Sequence, residues 1–411
     1  MPPIDLASVR ARFPALAGTQ AYLDGPGGSQ VPDVVGAAMT GYLYRHNANL
    51  GGVFPASRSS EDLMVGARRA AADFVGGSAE EIAFGPNMST LNFMLAHAVA
   101  RTLEPGDEIV TTVLDHDANI SPWLRIADDH GLFVRTVAVT DPDLTIDLAA
   151  LEASLSSRTR IVAFTLASNA VGTVTAARRI ADLAHGAGAL AWADAVHFAP
   201  HRRIAVRQLG VDVLLCSPYK FFGPHMGIAW ARRQLLASWP ADRVRPADET
   251  PPCHRFELGT QSHEAIAGFV AAVDYLASLG SGLDRAARLD SAFARIQMHE
   301  EDLARRFLIG LEDVPGVHLH GIADPERVGE RTPTFCVTLD AHDPRAVAER
   351  LAERGINVWD GNYYAPDLMT HLGLEGHGGG VRIGFLHYTS PDEVDRVLTA
   401  LRSVTGRLGA R

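Results

Sequence analysis

One primary amine stands out in this chain. Lysine and arginine together number 37, and Lys220 is the only lysine among them. A high-GC coding bias accounts for the arginines and makes the exception informative. Arginine can serve as a surface cation, but its guanidinium keeps its proton and cannot form an imine with an aldehyde. Lys220 is therefore the candidate for a position where an amine is chemically required; chance survival is the bland alternative. It lies in CSPYKFFGPHMG (216–227), where an apolar run breaks at Ser217 and Pro218 and a Gly-Pro turn follows. Ser217 and Tyr219 flank it with hydroxyls that could reach a phosphate.

Two further segments supply complementary chemistry. Asp194 sits towards the end of ALAWADAV (189–196), beside His197. A carboxylate at the C-terminal end of a buried strand faces the crevice where α/β sheets bind ligands; a loop or cap acid is the commoner fate of a lone aspartate. In FGPNMSTLNFML (84–95) a Gly-Pro-Asn turn leads into an apolar helix. The free N–H groups of Met88 and Ser89, next to Asn87, would then meet an anion at the positive end of the helix dipole. An amine, a ring-nitrogen acid and a phosphate cradle are the parts that pyridoxal 5'-phosphate (PLP) requires. A cation for the substrate carboxylate would complete the set.

These residues need a scaffold. GDEIVTTV (106–113), RIVAFTLASN (160–169), ALAWADAV and VDVLLCSPY (211–219) read as strands, and residues 61–75 and 175–188 as helices. Alternating strands and helices predict a mostly parallel α/β sheet. Runs apolar throughout fit strands covered on both faces. Residues 265–310 read as a long helical connector. From about 315, VPGVHLHG, TPTFCVTLD, a helix over 344–354, GINVWDG, GVRIGFLHY and a final helix from 390 predict a smaller α+β domain. The expected organisation is an N-terminal segment over 1–20 near the small domain, a large PLP-binding domain over 21–280, and a connector with the C-terminal domain over 281–411.

Composition excludes other classes. The net charge is −11 with signs interleaved, which argues against nucleic acid. No apolar run reaches a membrane span, and MPPIDLASVRARFPAL lacks a signal core. Cys216, Cys253 and Cys336 are far apart, without CxxC spacing, which fits a reducing cytoplasm. His371 and His377 read as loop residues. His185, His197 and His201 lack an acid partner at metal-site spacing, so no metal is expected.

In order along nearly the whole chain, the motifs resemble the class V aminotransferase family, in its cysteine desulfurase-like branch. AYLDGPGGSQVP (21–32) resembles its opening strand and turn. LDHDANISPW (114–123) resembles E-H-x-A-N-x-x-P-W, which implies that His116 stacks on the cofactor ring. SNAVGT (168–173) resembles S-N-x-x-G-T, implying that Asn169 contacts the phenolic oxygen. DAVH (194–197) implies the pyridinium role for Asp194 and a neighbouring contact for His197, and SPYKFFGP implies an imine on Lys220. RFELGT (255–260) implies that Thr260 reaches the phosphate in the partner of a homodimer. VRIGFLHY (381–388) implies that Arg382 binds the substrate carboxylate.

The resemblance implies the fold of fold-type-I PLP enzymes and an amino-acid substrate. The departures from it are specific. Tyr364, in GNYYAPDLM (361–369), falls where the desulfurases place the persulfide cysteine. The usual H-R is missing after Asn49 in NANLGG (47–52), and Tyr219 replaces the usual histidine before the lysine. Tyr364 and Asn49 are then candidates for substrate contact, and persulfide formation is not expected. β-Elimination at a carbon–sulfur bond is the favoured reaction. Amino transfer and epimerisation use the same constellation, and a PLP-binding protein without turnover is the remote alternative.

Overall fold

The computed structural model describes residues 3–405. Its centre is a seven-stranded sheet. The strands are β1 (Ile82–Gly85), β2 (Glu108–Thr112), β3 (Phe133–Val137), β4 (Thr159–Thr165), β5 (Leu190–Asp194), β6 (Val213–Cys216) and β7 (Gly227–Ala231), in spatial order β1-β7-β6-β5-β4-β2-β3. Pairing is parallel from β6 to β3, and β7 runs antiparallel to both of its neighbours. The sheet is thus mixed but mostly parallel. Strands β2, β5, β6 and β7 are buried along nearly their whole length, whereas edge strand β3 is largely exposed. Two hydrophobic clusters, one containing Phe84, Val162 and Phe164 and the other Ile109, Ala163 and Trp192, include alternate residues of the same strands, so both faces are covered.

The direction of β7 has a positional consequence. Because it reverses twice, β1 runs the same way as β6, and six strands (β1 to β6) deliver their C-terminal ends to one edge. That edge is where open α/β sheets bind ligands.

A second sheet is antiparallel. It orders β8 (Val317–His320), β9 (Thr334–Leu339), β11 (Gly380–Gly384) and β10 (Trp359–Gly361) as β8-β9-β11-β10. It packs on helices Pro344–Ala352 and Pro391–Thr405 around Phe335, Val337, Ile383 and Leu401. The helix Arg285–Leu311 joins the two cores: Leu289, Phe293 and Ile296 lie in the first, and Leu303, Phe307 and Leu311 in the second. The chain start also bridges them. Phe13 packs in the first core, while Ala21–Tyr22 pairs in parallel with Ile356–Asn357 beside the second sheet. No helix among the described residues is long and apolar enough to cross a membrane.

Candidate active site

Five of the six strands ending at the carboxyl edge, all but the edge strand β3, contribute to one cavity with about 530 Å³ of empty space. Its walls carry Asn87, Met88 and Ser89 after β1, His116 after β2, Asn169 after β4, Asp194 and His197 at and after β5, and Ser217, Tyr219 and Lys220 after β6. Ten of the residues singled out in the sequence are therefore neighbours in space, from segments up to 133 residues apart.

The amine is held in a desolvated place. Lys220 ends a short 3-10 turn, and its Nζ donates to the Pro26 carbonyl and lies 5.0 Å from the centre of the Tyr219 ring. Burial lowers its pKa to about 7, the Arg382 cation pushes the same way, and Asp194 opposes both. Much of the amine is thus neutral, and nucleophilic, near pH 7. Mixing the cofactor-free protein with PLP should give a capture rate that rises as pH climbs through about 7 and then levels, followed by absorbance in a stopped flow. An unperturbed lysine would still be accelerating at about pH 10.

Asp194 closes β5 with a buried carboxylate whose Oδ1 accepts the Val196 N–H at 2.7 Å. Burial raises its pKa to about 6, which the Val196 N–H and the Lys220 ammonium partly offset. A ring N–H placed against it would restore the ionised form. His116 accepts the Ala118 N–H on Nδ1 at 3.0 Å, which leaves its proton on Nε2. Burial, Lys220 and Arg382 lower its pKa to about 4, so the ring is neutral.

Asn87 caps the helix Met88–Ala100, its Oδ1 accepting from Thr90 N at 2.8 Å. Met88 N donates to Ser217 Oγ at 3.2 Å, which joins the two halves of the anion cradle. Gly227 on β7 makes room for this turn: a Cβ there would stand 2.4 Å from the Asn87 carbonyl carbon. Gly227→Ala should push the turn away and cost the holoprotein its cofactor on dialysis, read as the PLP retained per chain. Retention equal to the wild type would remove Gly227 from the account.

The second sheet lends two more groups. Arg382 on β11 is 5% exposed; it donates to the Asn169 carbonyl at 2.9 Å and stacks 4.4 Å from the centre of the Tyr363 ring. Burial lowers its pKa only to about 10, so it remains a cation at neutral pH. Beyond β10, Tyr363 and Tyr364 both adopt left-handed backbone, with φ of 58° and 57°. Two such residues cost about 1–2 kcal/mol each. The loop is held by the Asn169 Nδ2 to Tyr363 carbonyl bond (2.8 Å), the Asp117 N to Tyr364 carbonyl bond (2.7 Å) and the Tyr363 hydroxyl on the Gly380 carbonyl. This geometry lays the Tyr364 ring on His116, centroids 5.5 Å apart and planes 23° apart, at the exposed mouth.

Asn49 and Thr260 are not part of this cavity. Both are exposed and line a separate depression with Arg68, Arg243 and Leu258. The motif around Thr260 works as an anchor. Glu257 holds Arg68 through two contacts of 2.6 and 2.9 Å and accepts the Phe84 N–H of β1 at 2.8 Å. Arg255 donates to the carbonyls of Leu236, Ala237 and Trp239. Thr260 follows directly.

Asp115 is a site residue that sequence reasoning missed. It is fully buried, accepts from Thr112 Oγ1 and from Asn119 Nδ2 at 2.8 Å, and is pushed up to about 8 by burial and by Asp194. Asn119 in turn accepts from Asn92, which accepts from Trp192 Nε1 at 2.8 Å. This buried chain fixes the loop that carries His116. The acidic position directly before the motif histidine was the available signal.

The cavity suits PLP on its own chemistry. Asn169 Oδ1, His197 Nδ1 and Arg382 Nε are buried without a hydrogen-bond partner. Native interiors leave few such atoms unpaired, so these three are available to a polar ligand. Together with the amine, the buried acid and the cradle, they define a PLP-dependent enzyme of fold type I.

The family follows from comparison with known proteins. The class V aminotransferase family model matches residues 21–397, and the chain belongs to that family. It is 30% identical to an aminotransferase-like protein, FGM3, of Gibberella zeae, covering 97% of this chain and 98% of the relative. It is 31% identical to a cysteine desulfurase of Dickeya dadantii, covering 99% and 98%. Among solved structures, a cysteine desulfurase of Thermococcus onnurineus in its apo form superposes with a TM-score of 0.89 at 26% identity, covering 99% of each chain. A C-DES variant with glycine covalently linked to its PLP cofactor shares the fold, with a TM-score of 0.79 at 20% identity over 96% of this chain and 98% of that one.

Proposed function

We propose that this enzyme catalyses β-elimination on an amino acid carrying a carbon–sulfur bond, with PLP bound to Lys220 as a Schiff base. The observation that carries the choice against persulfide transfer is the state of the thiols. Cys216, Cys253 and Cys336 are all buried. Burial raises all three, Cys253 to about 11 and Cys336 to about 12. A sulfur acceptor must be an exposed thiolate, and the residue at the cavity mouth is Tyr364.

When bound, PLP supplies an electron sink for the carbon next to the substrate amine. The chain supplies the rest. Ser217 Oγ and the N–H groups of Met88 and Ser89 hold the phosphate, and Asp194 keeps the ring nitrogen protonated. Asn169 and His197 would bound the ring edge, and His116 would cover one face. Arg382 holds the substrate carboxylate. Lys220 Nζ, neutral near pH 7, takes the α-proton. The sulfur leaves as a thiol, and water completes the balance: amino acid plus water gives thiol, 2-keto acid and ammonia. Tyr364, stacked on His116, is the candidate for first contact with the substrate.

A homodimer in the cytoplasm belongs to the same reading. Exposed apolar side chains line the depression holding Thr260, among them Val65, Val244 and Leu258, and Tyr44 (83% exposed), Val53 (86%) and Phe54 are near Asn49 and Leu50 in sequence. A second copy would cover them and receive Thr260, and Asn49 beside it, at its own phosphate.

Product analysis tests the reaction. S-substituted cysteines should give one 2-keto acid and one ammonia per thiol without an added keto acid. Turnover that requires a second keto acid would show an aminotransferase instead. Protein-bound persulfide after incubation with cysteine would overturn the thiol argument.

A further inference from the structure

Behind the ring-acid wall lies a buried histidine–glutamate pair that the reaction above does not use. His201 Nδ1 meets Glu300 Oε2 at 2.8 Å, and both side chains are 2–3% exposed. They come from unrelated elements: His201 from the turn after β5, Glu300 from the middle of the helix Arg285–Leu311. A buried charged pair is expensive to desolvate and is weak evidence for stability. Its position suggests another use.

We propose that His201 and Glu300 are positioning residues for the cofactor site, holding the ring of His197 in its orientation. The proposal rests on PLP occupying the cavity. The His201 ring stands edge-on to His197, centroids 5.1 Å apart and planes at 66°. On its other side His197 Nε2 meets Thr332 Oγ1 at 3.2 Å, and Thr332 is 1% exposed. His197 is thus held by two buried neighbours; it lines the cavity, and its Nδ1 has no partner of its own. Rings that touch a ligand are commonly oriented this way, by a carboxylate-held second group.

The charges around the pair are few. Arg202 and Glu301 flank Glu300, His387 acts on the pair from the second sheet's side, and Lys220 and Arg382 face His197. Burial, His201, Lys220 and Arg382 together hold His197 far below the ordinary histidine range. It is therefore a neutral ring with one N–H, and where that N–H points decides whether it donates to the bound ring or accepts from it. A small cavity lined by His201, Glu300, Glu301, Arg331 and Thr332 lies behind the pair.

The test uses the substrate-free holoprotein. The pH at which the visible absorbance of bound PLP changes should move by about half a unit or more in Glu300→Gln and in His201→Gln. In a His197→Gln background the same substitutions should no longer move it, because they act through that ring. A changed thermal midpoint with an unmoved spectral titration, or equal spectral shifts with and without His197, would overturn the proposal. If Glu300→Gln does not fold, His201→Gln carries the comparison. Failure of the PLP reading looks different: the wild type would then show no visible band at all.

Discussion

Lys220→Ala is expected to reduce turnover by at least about 10²–10⁴-fold, the usual worth of a positioned acid–base group, and to abolish reducible attachment of PLP. Lys220→Arg is the sharper variant. It keeps a cation near Asp194 but offers neither an imine-forming amine nor a base, so it should be as inactive as alanine. The chain holds no second lysine to take over. Small primary amines added to Lys220→Ala should restore part of the rate, since the Nζ position borders the cavity. Activity in Lys220→Arg above a tenth of the wild type would contradict the role.

Asp194→Asn is expected to have the second largest effect. The carboxylate is 3% exposed, and its pKa near 6 reflects burial without a full cationic partner. Removing one preorganised electrostatic group from a site typically costs about 10²–10³-fold in kcat, and that is the fall expected here. KM should change little, because Arg382 and the anion cradle remain. The bound cofactor's absorbance should also shift, because the ring nitrogen would no longer stay protonated. A loss confined to KM would remove Asp194 from the ring-acid role.

The parts of this protein differ in how openly the sequence declares them. β4, β5 and β6 are readable because parallel strands covered on both faces are apolar throughout. β1, β3 and β7 escaped. β1 has four residues, β7 reads as a tail of the lysine segment, and β3 exposes Phe133, Arg135 and Thr136 at the sheet edge, so its pattern resembles a loop. The double reversal at β7 is a tertiary fact with no local signature.

The site shows the same contrast. Lys220 and Asp194 announce themselves by rarity and by position at a strand end. Met88 and Ser89 were legible because Asn87 and the following apolar helix mark an N-terminus. Arg382 on a strand could be assigned only through family resemblance. Asp115 looks like any loop acid until its burial is known. Glu300 has charged neighbours, His299 aside, and reads as part of a solvated helix face, yet it is among the least exposed carboxylates. The left-handed pair Tyr363–Tyr364 follows Gly361 and Asn362, but neither residue signals that two tyrosines will be held there by Asn169 and Asp117.

The most direct test of the account is chemical mapping of the cofactor. The purified holoprotein is reduced with borohydride, digested and analysed by mass spectrometry. The account predicts one reduced pyridoxyl group per chain, on the peptide containing Lys220. A pyridoxyl group found elsewhere, such as on the N-terminal amine, or a cofactor that washes away unreduced, would contradict it.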